Sequence, residues 1–253
     1  MDPLRALQVS CDTWFYNAAD HIGIEAIADM ARQLGPVGLA GEQKIDRFWM
    51  VPGDDLRPDR PEVGVILEPL RRRVCAGHAG DVVEIGFGSG FNVPFYPAAV
   101  TRVAAVEPSD LAWRLAGERL RAAAVPVQRA GLDGQSLPFA DGSYDAALST
   151  WTLCSIPDAA AALAELRRVL KPGGTLHFLE HGLAPDERVR RWQHRLEPLQ
   201  RRLVGGCHLT RQIAGLVTAA GFTVTELDVF YQEGTPKITG ADSLGVAVAP
   251  PAG

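Results

Sequence analysis

From residue 62 onward, apolar runs of strand character alternate with longer stretches whose apolar positions recur at helical spacing. Glu62 to His78 carries Val65, Ile66, Leu67, Leu70 and Val74 on one helical stripe, with Arg71 to Arg73 near its end, where the helix dipole favours cations. The β-branched run Asp81 to Gly86 follows as a first strand. Val103 to Val106 reads as a second strand ending at Glu107, Asp110 to Ala123 as a helix, and Val125 to Val127 as a short third strand. A turn, Ala140-Asp141-Gly142-Ser143-Tyr144-Asp145, runs into the fourth strand. Asp158 to Leu170 is a helix with Ala162, Leu163, Leu166, Val169 and Leu170 inward, stopped by Lys171-Pro172-Gly173-Gly174 before a fifth strand at Thr175 to Leu179. Asp186 to Leu203 makes a long helix with an apolar stripe of Val189, Trp192, Leu196, Leu199 and Leu203, and Gln212 to Ala220 makes a short one. Phe222 to Tyr231 and Leu244 to Ala249 are the last strands; joined without a helix, they should pair antiparallel at the edge of the sheet.

Residues 1 to 60 depart from this alternation. Trp14, Phe15 and Tyr16 precede a helical pattern at Ile22 to Leu34, and Gly35-Pro36-Val37-Gly38 and the proline-rich stretch from Pro52 read as loop. The pattern predicts an N-terminal helical cap or lid, 1–60, ahead of one α/β domain, 61–253. The aromatic triplet reads first as core packing and second as a substrate wall.

Composition narrows the function classes. The chain has 253 residues, enough for one α/β domain with an appended segment. A net charge of −5 gives no global attraction to nucleic acid, which disfavours nucleic acid as partner. The four cysteines, Cys11, Cys75, Cys154 and Cys207, are scattered with no CxxC pair, which argues against a zinc cluster and against a disulfide framework. Free thiols, no basic leader and no apolar run of membrane-span length point to a cytoplasmic protein. The arginine-rich face of helix 186–203 reads first as a solvated surface and second as a peripheral contact with anionic lipid.

The chemistry concentrates at Val82-Val83-Glu84-Ile85-Gly86-Phe87-Gly88-Ser89-Gly90, a buried strand that opens into three alternate glycines. A dinucleotide fingerprint, Gly-x-Gly-x-x-Gly, would need glycine where Phe91 stands, which disfavours a nicotinamide oxidoreductase. Glu107, ending the second strand, sits where paired acceptor oxygens bind a ribose diol, and the same acid could cap the following helix.

Four phrases in order, Glu84 to Gly90, Glu107, Leu132-Asp133-Gly134 with Ala140 to Asp145, and Arg168 to Gly174, resemble the class I S-adenosylmethionine (SAM) dependent methyltransferases of the ubiquinone/menaquinone C-methyltransferase type. Leu153-Cys154-Ser155, Phe178-Leu179-Glu180-His181, Trp192, Gly206 to Arg211 and Lys237 to Ala247 resemble the branch holding the alkyl thiol methyltransferases. The resemblance implies a Rossmann-like seven-stranded class I methyltransferase sheet with helices on both faces. It implies SAM as cofactor, with S-adenosylhomocysteine as product. Gly86, Gly88 and Gly90 would meet the methionine and ribose part, Glu84 the methionine amino group with help near Thr150, Glu107 the ribose, and Asp133 with Gly134 the adenine. The implied reaction moves the sulfonium methyl to a thiol, oxygen or nitrogen of a small hydrophobic acceptor. The alternatives are phospholipid or quinone methylation at a membrane surface, or SAM binding without transfer. His181, just past the fifth strand, is the first candidate for a base, and its other reading is a histidine held behind the site. Cys154 is a second candidate, read against inert packing of a buried thiol.

Overall fold

The computed structural model describes residues 62–203, 207–232, 237–238 and 241–251. The expected cap, its helix, the aromatic triplet, Cys11 and Gly206 lie outside the described residues. Helix α1 (Glu62–Cys75) leads into strand β1 (Gly80–Ile85). Beyond the glycine turn and a short 3-10 turn (Val93–Phe95) come β2 (Val100–Val106), α2 (Asp110–Leu115), α3 (Gly117–Ala122), β3 (Val127–Gly131) and β4 (Tyr144–Thr150). Then follow α4 (Ala159–Val169), β5 (Leu170–His181), α5 (Glu187–Leu203), α6 (Ile213–Ala219), β6 (Thr223–Tyr231) and β7 (Ala241–Val248). The single helix expected from Asp110 to Ala123 is divided at Ala116, immediately before Gly117, a residue that weakens helical continuity.

The seven strands lie in the order β3-β2-β1-β4-β5-β7-β6. The first five are parallel, and β7 inserts antiparallel between β5 and β6. The strand order reverses between β1 and β4, and the carboxyl ends of the parallel strands come level there: Ile85 is opposite both Val106 and Ser149, and Thr150 is opposite Leu179. Ligands of open α/β sheets bind in the crevice at such a reversal.

Alternation within β1 explains how both faces are covered. Val82 joins a core with Val74, Cys75, Val103, Ala105 and Leu148 on the α1 side. Val83 and Ile85 join Leu163, Leu166, Val169, Ile213 and Val217 on the α4 and α6 side. Leu163, Leu166 and Val169 are fully buried, and removing each side chain from water stabilises the fold by about 1.5–3 kcal/mol. The start of α4 is fixed by Asp158, whose carboxylate accepts from the Ala161 N–H at 2.9 Å. Arg168 at its last turn donates to the Phe139 and Leu137 carbonyls and to Asp141, which ties the turn before β4 to the helix.

Helix α5 corrects the expected stripe. Trp192 is 52% exposed, whereas Gln193 is buried, accepting from the Ala184 N–H and donating to the carbonyls of Gly182 and Ile238. A buried amide with three partners loses little on leaving water, so it competes with an apolar residue for the inward position.

Candidate cofactor and acceptor site

The glycine turn after β1 is dictated by its neighbours. Gly86 has φ +64°, and a Cβ built there would lie 1.9 Å from Thr152 Oγ1, so glycine alone fits this close approach between the loops after β1 and β4. Gly88 and Gly90 also have positive φ. The Gly88 N–H donates to Glu107 Oε2 at 2.7 Å, and the Ser109 N–H donates to Glu107 Oε1 at 2.7 Å. Glu107 is buried, and these two bonds set its carboxylate plane beside the turn. The helix that follows is capped by Ser109, whose hydroxyl accepts from the Ala112 N–H, so Glu107 does not serve as that side-chain cap.

Glu84 is fully buried at the end of β1. Its Oε1 accepts from Asn92 Nδ2 at 2.8 Å and its Oε2 accepts from the Tyr96 hydroxyl. Asn92 Nδ2 also donates to Thr150 Oγ1 at 3.0 Å, and Arg71 donates to Asn92 Oδ1 at 2.9 Å. Asn92 thus joins the ends of β1 and β4 in one polar network. Burial pushes the Glu84 carboxyl up to about 7, against the pull of Tyr96, Asn92 and Arg71, with Glu107 adding to the rise. An acid in that position is poised to gain its charge when a cationic partner arrives.

Asp133 is exposed and its Oδ1 accepts from the backbone and side-chain N–H groups of Gln135. Gly134 is buried against Ile85 and Ile156, where a Cβ would approach Ile156 to 3.2 Å. An exposed acid over a small apolar floor suits a flat heterocycle carrying an exocyclic amine. In the same turn the hydroxyl of Ser89 is buried with no hydrogen-bond partner among the described residues. Positive-φ glycines, the buried acids Glu84 and Glu107 and the Ser89 hydroxyl together fit a nucleoside-sized polar ligand.

Further residues at this edge act through contacts that bring separate segments together. Trp151 has φ +49°, a left-handed conformation that costs a bulky residue about 1–3 kcal/mol. It is held by its N–H to the Leu179 carbonyl at 2.7 Å and by its indole N–H to Asp242 Oδ1 at 3.2 Å. Glu180 is buried and clamps the loop after β4, accepting from Ser149 Oγ and the Thr152 and Cys154 N–H groups. Burial raises its carboxyl and these donors oppose the rise. No local motif marks Asn92, Tyr96 or Asp242, because their roles arise only from register and loop approach.

Cys154, His181 and Cys207 come together behind the ends of β4 and β5, with ligand atoms all within 4.8 Å of one another, and all three are buried. The expectation from scattered cysteines rested on local spacing, whereas the fold assembles this set from three separate segments. His181 and Asp242 face each other across β5 and β7, with Nε2 to Oδ1 at 3.6 Å. Burial alone would lower the imidazole, but the facing Asp242 carboxylate, with Cys154 and Glu180, outweighs it and carries it up to about 9. Cys207 and burial hold the Cys154 thiol well above its usual range.

Residues 83–178 match the family described as "Methyltransferase domain". Residues 83–178 are a methyltransferase domain of the class I fold. The domain's cofactor is S-adenosylmethionine, and the turn and acids described above fit it. Thiol S-methyltransferase TMT1B of Rattus norvegicus is 34% identical over 153 residues, 58% of this chain and 62% of that protein. Thiol S-methyltransferase TMT1A of Homo sapiens is 34% identical over 160 residues, 60% of this chain and 64% of that protein. The matched segment therefore spans about three fifths of the length of these curated relatives. Among solved structures, a putative methyltransferase of Bacillus halodurans superposes with TM-score 0.58 at 16% identity, covering 72% of this chain and 98% of that one. That likeness concerns the fold.

Proposed function

We propose that the protein is a SAM-dependent methyltransferase whose acceptor is the thiol of a small, hydrophobic molecule. The observation that carries the thiol assignment is the 34% identity to proteins named as thiol S-methyltransferases across the segment holding the domain. SAM supplies a methyl group already activated on a sulfonium, so the protein's work is alignment and exclusion of water. In this reading Glu84, held by Asn92 and Tyr96, takes the methionine ammonium. Thr150 stands beside that contact through Asn92. Glu107 accepts the ribose hydroxyls, Gly86, Gly88 and Gly90 let the backbone approach, and Asp133 with Gly134 receives the adenine.

Cys154 and His181, at the carboxyl ends of β4 and β5, belong to the acceptor end of the crevice. A thiol acceptor has a reference pKa near 8.5 and is partly ionised at neutral pH, so it does not require either residue to remove its proton. The test is release of S-adenosylhomocysteine by the purified chain with SAM and a matched set of an alkyl thiol, a phenol and an amine. Turnover confined to the thiol supports the reading. SAM bound by calorimetry with no turnover on the thiol refutes it.

A second reading, methylation at a membrane surface, is favoured by the exposed Trp192 on the arginine-rich helix α5, with Arg195 5.3 Å from its ring. Cosedimentation with anionic vesicles, lost in Trp192→Ala, would support it. Among the described residues no helix is long and apolar enough to cross a membrane.

A further inference from the structure

We propose that Cys154, Cys207 and His181 form a binding site for one divalent cation of the zinc class. This inference stands whether or not the chain methylates thiols. The donor set is two sulfurs and one imidazole nitrogen, the combination that selects zinc-like cations over hard oxygen-seeking ones. Their ligand atoms lie within 4.8 Å of one another, a spacing that small side-chain movements contract onto a single ion with sulfur ligands at about 2.3 Å and nitrogen at about 2.0–2.1 Å.

The imidazole supplies the second, independent observation. His181 Nδ1 is buried and has no hydrogen-bond partner among the described residues, while Nε2 faces Asp242 Oδ1 at 3.6 Å. A histidine that binds metal through one nitrogen commonly gives its other N–H to a carboxylate, which fixes the tautomer and ring orientation. Asp242 is placed for that role, and it is itself oriented by the Trp151 indole N–H. The buried, unpartnered nitrogen thereby gains a use that the metal-free arrangement does not give it.

The three donor segments are also pinned by contacts that leave the sulfur and imidazole donor atoms free of that task. The His208 N–H donates to the Cys154 carbonyl at 2.8 Å, and the Leu183 N–H donates to the Arg211 carbonyl at 2.9 Å. Arg211 donates to the carbonyls of Leu153, Ile156 and Pro157. Glu180 holds the Cys154 N–H from below. The site is preorganised in this sense: the segment before α6 is fastened to the loop after β4, and both are fastened to the end of β5.

Charge balance favours a divalent ion. Binding releases the two thiol protons, and any proton on the ligating imidazole nitrogen, to solvent, and two thiolates with a neutral imidazole then cancel a charge of +2 at the ion itself. Three protein donors leave the fourth tetrahedral position to a small ligand such as water. The ion would cross-link the β4 loop, β5 and the segment before α6, stiffening the crevice wall that carries Thr152 and Trp151.

The test uses the full chain, purified without chelator and dialysed, with zinc measured per chain. Cobalt exchange on the same sample then reports thiolate ligation through ligand-to-metal charge-transfer absorption. The expected result is one tightly held zinc per chain and a cobalt spectrum of two-thiolate intensity. Cys207→Ser and His181→Ala should each weaken retention at least 10-fold, while Cys75→Ser, altering a buried cysteine of α1 away from the set, should leave it unchanged. Chelation should lower the melting temperature of the unaltered chain. No retained zinc, no charge-transfer band, or a Cys154–Cys207 disulfide in freshly purified protein would overturn the proposal, and these readings on the unaltered chain hold even if a variant fails to fold.

Discussion

Replacing Glu84 with glutamine separates the cost of a buried acid from its use. The fold keeps the shape of the network, because a glutamine oxygen can still accept from Asn92 Nδ2 and its amide can donate to the Tyr96 oxygen. Burial carries the Glu84 carboxyl from 4.5 to about 7, and at about 1.4 kcal/mol per pH unit its ionised form costs the native state about 3 kcal/mol. Between those values the native chain retains a proton that the unfolded chain has lost, so this group makes stability fall as pH rises through the window. The expected outcome is that Glu84→Gln gains stability relative to the parent from pH 5 to pH 8, by a total of about 3 kcal/mol. Urea unfolding of both proteins across that range is the assay. SAM affinity should move the other way, falling about 10-fold to 100-fold with loss of a charged hydrogen bond, and the parent should release a proton on binding near neutral pH. Parallel pH–stability curves for the two proteins would refute the reasoning, since the buried acid would then carry no cost.

Three further substitutions test the remaining parts of the edge. Gly86→Ala places a methyl against Thr152 at a left-handed backbone position; it should destabilise the chain by about 1–3 kcal/mol or more and abolish SAM binding, read by thermal melting and calorimetry. Glu107→Gln puts an amide N–H against one of two backbone N–H donors, costing about 1–3 kcal/mol as well as ribose affinity. Asp133→Ala, by contrast, alters an exposed side chain, so stability should stay within about 0.5 kcal/mol while SAM affinity drops.

Much of the scaffold was legible because its causes are local. The acid-ended run at Glu84, the glycines that follow and the Pro/Gly stop after α4 each carry their own reason for a strand end, a turn or a helix end. Trp192 shows where such reading stops: its place on an apolar stripe predicted burial, yet Gln193 faces inward because carbonyls and an N–H from other segments satisfy it. The clamp of Asn92 and Tyr96 on Glu84 likewise depends on where the 3-10 turn lands, which no window of neighbouring residues encodes.

The sequence by itself determined the alternation that makes a parallel sheet, the antiparallel last pair and the glycine turn and acids at the strand ends. These follow from periodicity and backbone freedom, which act over a few residues. Only the tertiary structure decided which buried groups meet. Glu84 is raised because the fold encloses it, Trp151 is held in strain by Asp242 from β7, and Cys154, His181 and Cys207 converge from three segments. Such effects depend on distance and dielectric in space, and distance along the chain carries little of either.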